Sequence, residues 1–453
     1  MTTDLLAAPS RRSRMAAATP WIGLGIALLL IVAAMLFPLL SGLNVHVRWF
    51  PPLHAQWMPR IGPGTPAAIV LALLAARYAV DLAARMRWRT LLIAAFFSAL
   101  VWMLSLALVD GWAGIATILD TQYEYLRTAR AVTDVGALLR EYITRIPLDS
   151  VGNWPVHIAG HPPGALLFFI VLARLGLGSG LAAGIVVTVV AATTPVAVML
   201  TLRQLGAEAG ARKAAPFLVL GPAAIWMSVS ADAVFGAIAA WGLCVLAVSA
   251  TARRASATAL WAVLAGLILG YCVMLSYGLP LLGILAVAIL ILCRRWTPLP
   301  WAVGAAVLVV LAFAVSGFAW WEAYPVLVER YWAGVATNRP YLYWIWANLA
   351  ALAFSAGPLV GAGVAVALRR AEGIRSATRH EAVIVTLALA ALLTVLVADL
   401  SGMSKAEVER IWLPFVPWLL IGTALLSERW RRWGLGGQLA FAIAVQHLLA
   451  TGW

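Results

Sequence analysis

Long apolar runs separated by short polar stretches make up most of the chain. Fourteen such runs fall at about 21–42, 66–84, 90–109, 164–177, 181–202, 214–230, 232–250, 258–275, 278–293, 298–319, 343–367, 381–399, 411–426 and 435–451. Crossing a bilayer as a helix takes roughly 20 mostly apolar residues. The runs are continuous rather than alternating, which excludes a membrane β-barrel. In hydrocarbon each segment must bond its own backbone groups, so the runs read as helices. The pattern predicts an all-α polytopic membrane protein, one transmembrane domain over residues 1–453, with no internal repeat.

Composition agrees: 63% of residues are hydrophobic and 11% charged, against about half and a quarter in a soluble domain. The net charge of +14 is gathered in short clusters between apolar runs. They lie at Arg85 to Arg89, Arg203 to Lys213, Arg253-Arg254, Arg294-Arg295, Arg369 to Arg379 and Arg429 to Arg432. Clusters so placed mark cytoplasmic loops. The charge is therefore assigned to topology and to membrane lipids, and no nucleic-acid partner is expected. Cys244, Cys272 and Cys293 lie in or at the end of apolar runs, so no disulfide framework is expected. The basic segment Arg11-Arg12-Ser13-Arg14 precedes a run longer than a signal-peptide core, which reads as an uncleaved first helix with a cytoplasmic N-terminus.

The basic clusters also constrain parity. Three crossings put 110–163 outside, and the later clusters put Arg203 to Lys213 inside, so an odd number of crossings lies between. The run 164–177 is the shortest, opens with Pro162-Pro163-Gly164 and ends in a glycine-rich turn. We expect it to make no crossing of its own, leaving about thirteen spans and an external C-terminus.

Three external stretches follow: 43–65, 110–163 and 320–342. In the second, Tyr125, Leu126, Ala129, Val132, Val135, Leu138, Leu139, Tyr142 and Ile143 recur at helical spacing. One or two amphipathic helices along the outer membrane face are expected there.

Charge at the outer membrane boundary is costly and so marks candidate chemistry. The acidic candidates are Asp110, Asp120, Glu124, Asp134, Asp232, Asp399, Glu407 and Glu409; the basic and polar ones are His157, His161, Arg339, Lys405 and Arg410. Each has a bland alternative. Asp120 is also placed to cap a helix, with Thr121 and Glu124 after it, and Asp232 can cap an outer turn. Arg410 can pair with Glu407 or Glu409. His157 and His161 have the i, i+4 spacing of zinc ligands, but Gly160 and Pro162 oppose a regular helix and no third ligand is evident.

The order of elements from about residue 90 to 425 resembles the GT-C superfamily of membrane glycosyltransferases, in its actinobacterial type. The likeness rests on Asp120-Thr121-Gln122-Tyr123-Glu124 after a span and on His161-Pro162-Pro163 as the chain re-enters the membrane. It rests also on Ser230-Ala231-Asp232-Ala233-Val234-Phe235 between two later helices, and on Glu409-Arg410-Ile411-Trp412-Leu413-Pro414 opening a late one. The resemblance implies a GT-C-like fold and transfer of a sugar from a polyprenyl-phosphate carrier to an external lipid, glycan or protein acceptor. It implies a bacterial plasma-membrane location, with Asp120 as the catalytic base. Two spans before the loop depart from the family pattern, as does the lack of an adjacent acidic pair at Asp120. A divalent cation therefore stays open as a cofactor, and no other is called for.

Sugar transfer needs a base for the acceptor hydroxyl, cations for the departing phosphate, and a groove for the lipid. Asp120 is the candidate base with Glu124 beside it. Arg410, Lys405 and Arg339 are candidate phosphate contacts, and His161, His157 and Asp232 candidate pocket residues. With no second carboxylate evident as nucleophile, inverting displacement is expected. The rival reading is a transporter or lipid flippase of the cell envelope.

Overall fold

Apolar runs become helices that stand side by side and sort the charges to two ends. The computed structural model describes residues 11–451; the side chains of residues 11–14 and 16 lie outside the described set. Helix accounts for nearly all regular structure, and the described strands are the two-residue pair Gln56–Trp57 and Leu449–Ala450, joined antiparallel. Among the described residues, eight helices are long and apolar enough to cross a membrane, or nine if a bent pair counts as one. Length and composition therefore mark fewer crossings than the expected thirteen or so. The other apolar runs form shorter helices such as Leu279–Cys293 and Val416–Leu425.

The run 164–177 forms the helix Pro163–Arg174. At 1.5 Å per residue it is ~18 Å long, short of a hydrocarbon core of about 30 Å. It leaves and returns to the same end. At its start Tyr142 donates to the His161 carbonyl at 3.0 Å, and at its finish Arg174 donates to the Thr133 carbonyl at 3.3 Å. The loop 110–163 is a string of short helices, including Tyr125–Ala131, Val135–Glu141 and Val156–Ala159. Asp134 caps the second of these through the Ala137 N–H.

One end of the bundle is basic. Arg212 donates to the Ala83 and Met86 carbonyls, Arg379 to those of Leu205 and Leu292, and Arg370 to that of Leu425. The helix Glu428–Leu448 joins the two ends: Arg432 grips Asp81 near its start, and His447 meets Thr65 near its finish at 2.9 Å. The other end holds the loops 42–64, 108–162, 221–230, 316–340 and 401–415.

Two stretches are irregular, and both are packed inside protein, where non-helical backbone is tolerated at membrane depth. From Val408 to Leu425 the chain is three short helical pieces, nearly all buried. The second is the bent pair, Tyr341–Ala356 and Leu359–Ala371, which meet at 108°. Gly357 makes the bend with φ +78°, a conformation suited to glycine. Buried Gln438 satisfies the two backbone groups the break exposes, donating to the Ala356 carbonyl at 2.8 Å and accepting from the Leu359 N–H at 3.3 Å.

Gln438→Leu would leave both backbone groups buried and unpaired. Since each such group costs about 1–3 kcal/mol, we expect a lower unfolding midpoint in detergent than for wild type. Equal midpoints would show that the break does not depend on this side chain.

Candidate functional site

The end of the bundle opposite the basic one gathers charge from five distant stretches of the chain. Asp232 lies in the first turn of the helix Ala231–Thr251 and is buried. Arg410, in the short helix Val408–Ile411, donates to its carboxylate. The other Arg410 terminal nitrogen stands 3.4 Å from Glu407, whose second oxygen lies 3.5 Å from Arg339. Glu407 thus bridges two arginines. Burial pushes its carboxyl upward, but the Arg410 and Arg339 guanidiniums outweigh this and hold it below the usual carboxylate range. Its side chain is 24% exposed, against 7% or less for Arg410 and Asp232.

Arg339 and Lys405 hold the loops around this group. Lys405 Nζ donates to the carbonyls of Ala336 and Arg339, each at 3.0 Å, and lies 4.4 Å from the centre of the Trp332 ring. Arg339 donates to the carbonyls of Lys405 and His46. Asn348 donates to Asp399 at 2.8 Å and to the Ser404 carbonyl, and accepts from the Ala406 N–H at 3.2 Å. Ala406 and Glu407 both take positive φ, 69° and 63°. Such values are strained in non-glycine residues and persist only where surrounding contacts enforce them.

The loop 110–163 supplies the other half. Glu124 Oε1 lies 2.7 Å from His157 Nδ1, and both side chains are buried. Glu124 Oε2 is buried with no hydrogen-bond partner among the described residues. His161 Nδ1 lies 2.7 Å from the His157 carbonyl and 2.9 Å from the Tyr125 hydroxyl. A carbonyl only accepts, so Nδ1 carries the proton and Nε2 is the acceptor. Burial draws the His161 imidazole below its ordinary pKa despite nearby Asp232, which favours the neutral form. The His161 ring lies 5.5 Å from that of Phe235, one turn beyond Asp232. Glu124 and Arg410 lie within electrostatic reach of each other.

Of the sequence candidates, the structure therefore brings together Glu124, His157, His161, Asp232, Arg339, Lys405 and Arg410. Asp120 stands apart. It receives Arg130 at 2.6 and 3.0 Å, with Arg127 at 3.6 Å, and its side chain is 30% exposed. The Arg130 hydrogen bond, against partial burial, holds its carboxyl below the usual range. Arg130 also donates to the Gly178 carbonyl at 3.0 Å, tying the loop to the turn after Pro163–Arg174.

Sequence reading missed His54, which stands within electrostatic reach of Glu407 and Arg339. The loop 43–65 has no periodicity to single it out. It also missed the Tyr125 hydroxyl, read only as part of an apolar face, and Asn348. Of the two acids offered as partners for Arg410, Glu407 makes the contact; Glu409 is fully buried, and neither of its oxygens has a hydrogen-bond partner among the described residues. Burial pushes its carboxyl up to about 7.

A divalent cation needs several ligands closing on one point. Among the described residues no three His, Cys, Asp or Glu side chains do so. The charge between Asp232 and Glu407 is the Arg410 guanidinium, so these side chains do not form a metal site by themselves.

No family model matches the sequence, and no curated protein matches it. Among solved structures, the oligosaccharyltransferase of Archaeoglobus fulgidus, in complex with zinc and sulfate, is similar to this chain with 12% sequence identity and a TM-score of 0.49. The match covers 79% of this chain and 53% of that one, so this chain spans about half the length of that protein.

Two measurements test the cluster. Arg410→Met leaves Asp232 as a buried anion without its cation and Glu407 with Arg339 alone, a change that costs about 3–5 kcal/mol. We expect unfolding in detergent to show a loss of that size, partly recovered on adding Asp232→Asn. Glu409 titrates the other way from a paired carboxylate. Its stabilising contribution is present below the ordinary value of 4.5 and is lost as pH rises through about 7. Wild-type stability should therefore decline across that window, and Glu409→Gln should flatten the decline.

Proposed function

We propose that this chain is an inverting glycosyltransferase of GT-C type, which moves one sugar from a polyprenyl-phosphate carrier to a lipid, glycan or protein acceptor outside the membrane. The observation that carries the reading is convergence. Three sequence elements far apart in the chain, around His161, Asp232 and Arg410, meet in one buried polar group with Glu124. The charged residues lie at helix ends, Asp232 in a first turn and Asp399 in a last one. Transport would be better supported by a site at the midplane. The basic end is assigned to the cytoplasm by the positive-inside rule, which puts the cluster on the external face of a bacterial plasma membrane.

In this reading Glu124 is the general base. Its free oxygen is buried while the other is fixed by His157, an arrangement that aims the free oxygen for proton transfer. Asp120, held by Arg130 and partly exposed, is the weaker candidate and serves to hold the loop. The acceptor oxygen bonds to the anomeric carbon as its proton passes to Glu124. The bond from that carbon to the phosphate oxygen breaks, and the carrier leaves as a phosphate monoester. Arg410 and Arg339 neutralise it, since a planar guanidinium suits bidentate phosphate contact. The Glu407 carboxylate, which now bridges these two arginines at 3.4 and 3.5 Å, holds the position an entering phosphate would take. Its exposure makes it the group to be displaced.

The test is turnover of a panel of radiolabelled polyprenyl-phosphate sugars by purified protein in lipid. We expect wild type to transfer or release sugar from at least one of them. Glu124→Gln should lose about 10²–10⁴-fold in rate, whereas Asp120→Asn should lose far less. The reverse order would return the base to Asp120. Silence of folded wild-type protein across the panel would remove the glycosyltransferase reading.

A further inference from the structure

At the basic end, on the flank of the bundle, a groove of ≈ 600 Å³ runs between the helices Arg11–Ser41, Leu359–Ala371 and Glu428–Leu448. Its walls are apolar and include Trp21, Leu28, Leu359, Trp433 and Phe441, and Arg429 stands at its mouth. The groove opens outward from the bundle: Trp21 is 65% and Trp433 77% exposed. From Arg429 to Phe441 it follows its helix for ~18 Å. Glycine keeps it clear, because a Cβ added at Gly437 meets nothing within 4 Å. The bend at Gly357 helps to make it, by turning Leu359 away from the line of the preceding helix.

The charge at the mouth is only partly matched within its own helix. Arg429, Arg431 and Arg432 occupy the first turns of Glu428–Leu448, where the helix dipole favours acidic groups. Arg432 is committed to Asp81 and Glu428. Arg429 makes no hydrogen bond or ion pair among the described residues, and Arg431 Nε is buried without a partner. An apolar groove open on the flank of a bundle of apolar helices, with a cation at its mouth, suits an amphiphile with an acyl tail and an anionic head. We propose that this groove binds an anionic glycerophospholipid of the leaflet facing the basic end, with an acyl chain along the tryptophan-lined wall and the phosphate at Arg429. The site lies at the opposite end from the charged cluster and is independent of any transferase activity.

Native mass spectrometry of the full chain, released from nanodiscs of phosphatidylcholine mixed with increasing phosphatidylglycerol, tests this. Wild type should retain one phosphatidylglycerol in preference to phosphatidylcholine. Arg429→Gln, which breaks no internal contact, should retain it about fivefold more weakly, the ratio that ~1 kcal/mol for one basic residue near a membrane surface gives. Gly437→Leu, which fills the channel, should lose it, while Arg145→Gln at the opposite end should retain it like wild type. Equal retention of the two lipids by wild type would overturn the proposal. So would wild-type retention in both groove variants, or displacement of the phospholipid by an equimolar polyprenyl phosphate.

Discussion

Arg410 is a full positive charge inside protein, and the end of the bundle that holds it is built around what that requires. Moving an ion of this size out of water costs on the order of 20 kcal/mol in the idealised case, and still several after relaxation. The cost is met only if the guanidinium finds anions and acceptors in the right directions. Asp232 comes from the start of a membrane helix and Glu407 from three residues back along the chain. Glu407 then engages Arg339, which in turn holds the backbone of Lys405 and His46. One buried charge thereby fixes the relative positions of four segments with no sequence proximity. It also accounts for the left-handed backbone at Ala406 and Glu407: the chain must double back within three residues to present a carboxylate to the arginine that follows it.

The irregular path from Val408 to Leu425 is part of the same constraint. A regular membrane helix would carry Arg410 along one face, with its neighbours' backbone bonds already made. Short helical pieces instead let the chain enter the bundle with Arg410, Trp412 and Trp418 all buried. Such backbone is stable at depth only when other helices surround it, and this segment is almost wholly enclosed.

Helix type and membrane embedding were legible in the sequence because they rest on composition and run length. The shortness of the helix Pro163–Arg174 was legible from the length of its apolar run. The site was legible in its membership more than in its geometry. Glu124 and Asp120 are four residues apart, and a continuous helix would have set them on one face. In the structure a turn intervenes, the helix begins at Tyr125, and Arg130 with the Gly178 carbonyl pulls Asp120 toward the loop surface. That outcome depends on a contact across 48 residues, which no local spacing encodes. Glu409 shows the same limit. Spacing offers both Glu407 and Glu409 to Arg410, but only Glu407 reaches it, while Glu409 is buried without a partner among the described residues.

Charge balance then limits what the site can admit. Arg339, Lys405 and Arg410 face Glu124, Asp232 and Glu407, while Glu409 is held toward its neutral form by burial. The group is close to neutral as it stands, so an added anion would have to carry the full desolvation penalty unless one of these carboxylates withdrew. Asp232 is the most deeply held. Glu124 is fixed to His157, whereas Glu407 makes the longest contacts and has the most exposure. An anion bearing two or more oxygens in a plane, entering from outside, meets least resistance by exchanging with Glu407, for it then inherits two guanidiniums already positioned and leaves the net charge unchanged. In the proposed reaction, the phosphate is therefore the group of the donor that would open this site by displacing Glu407.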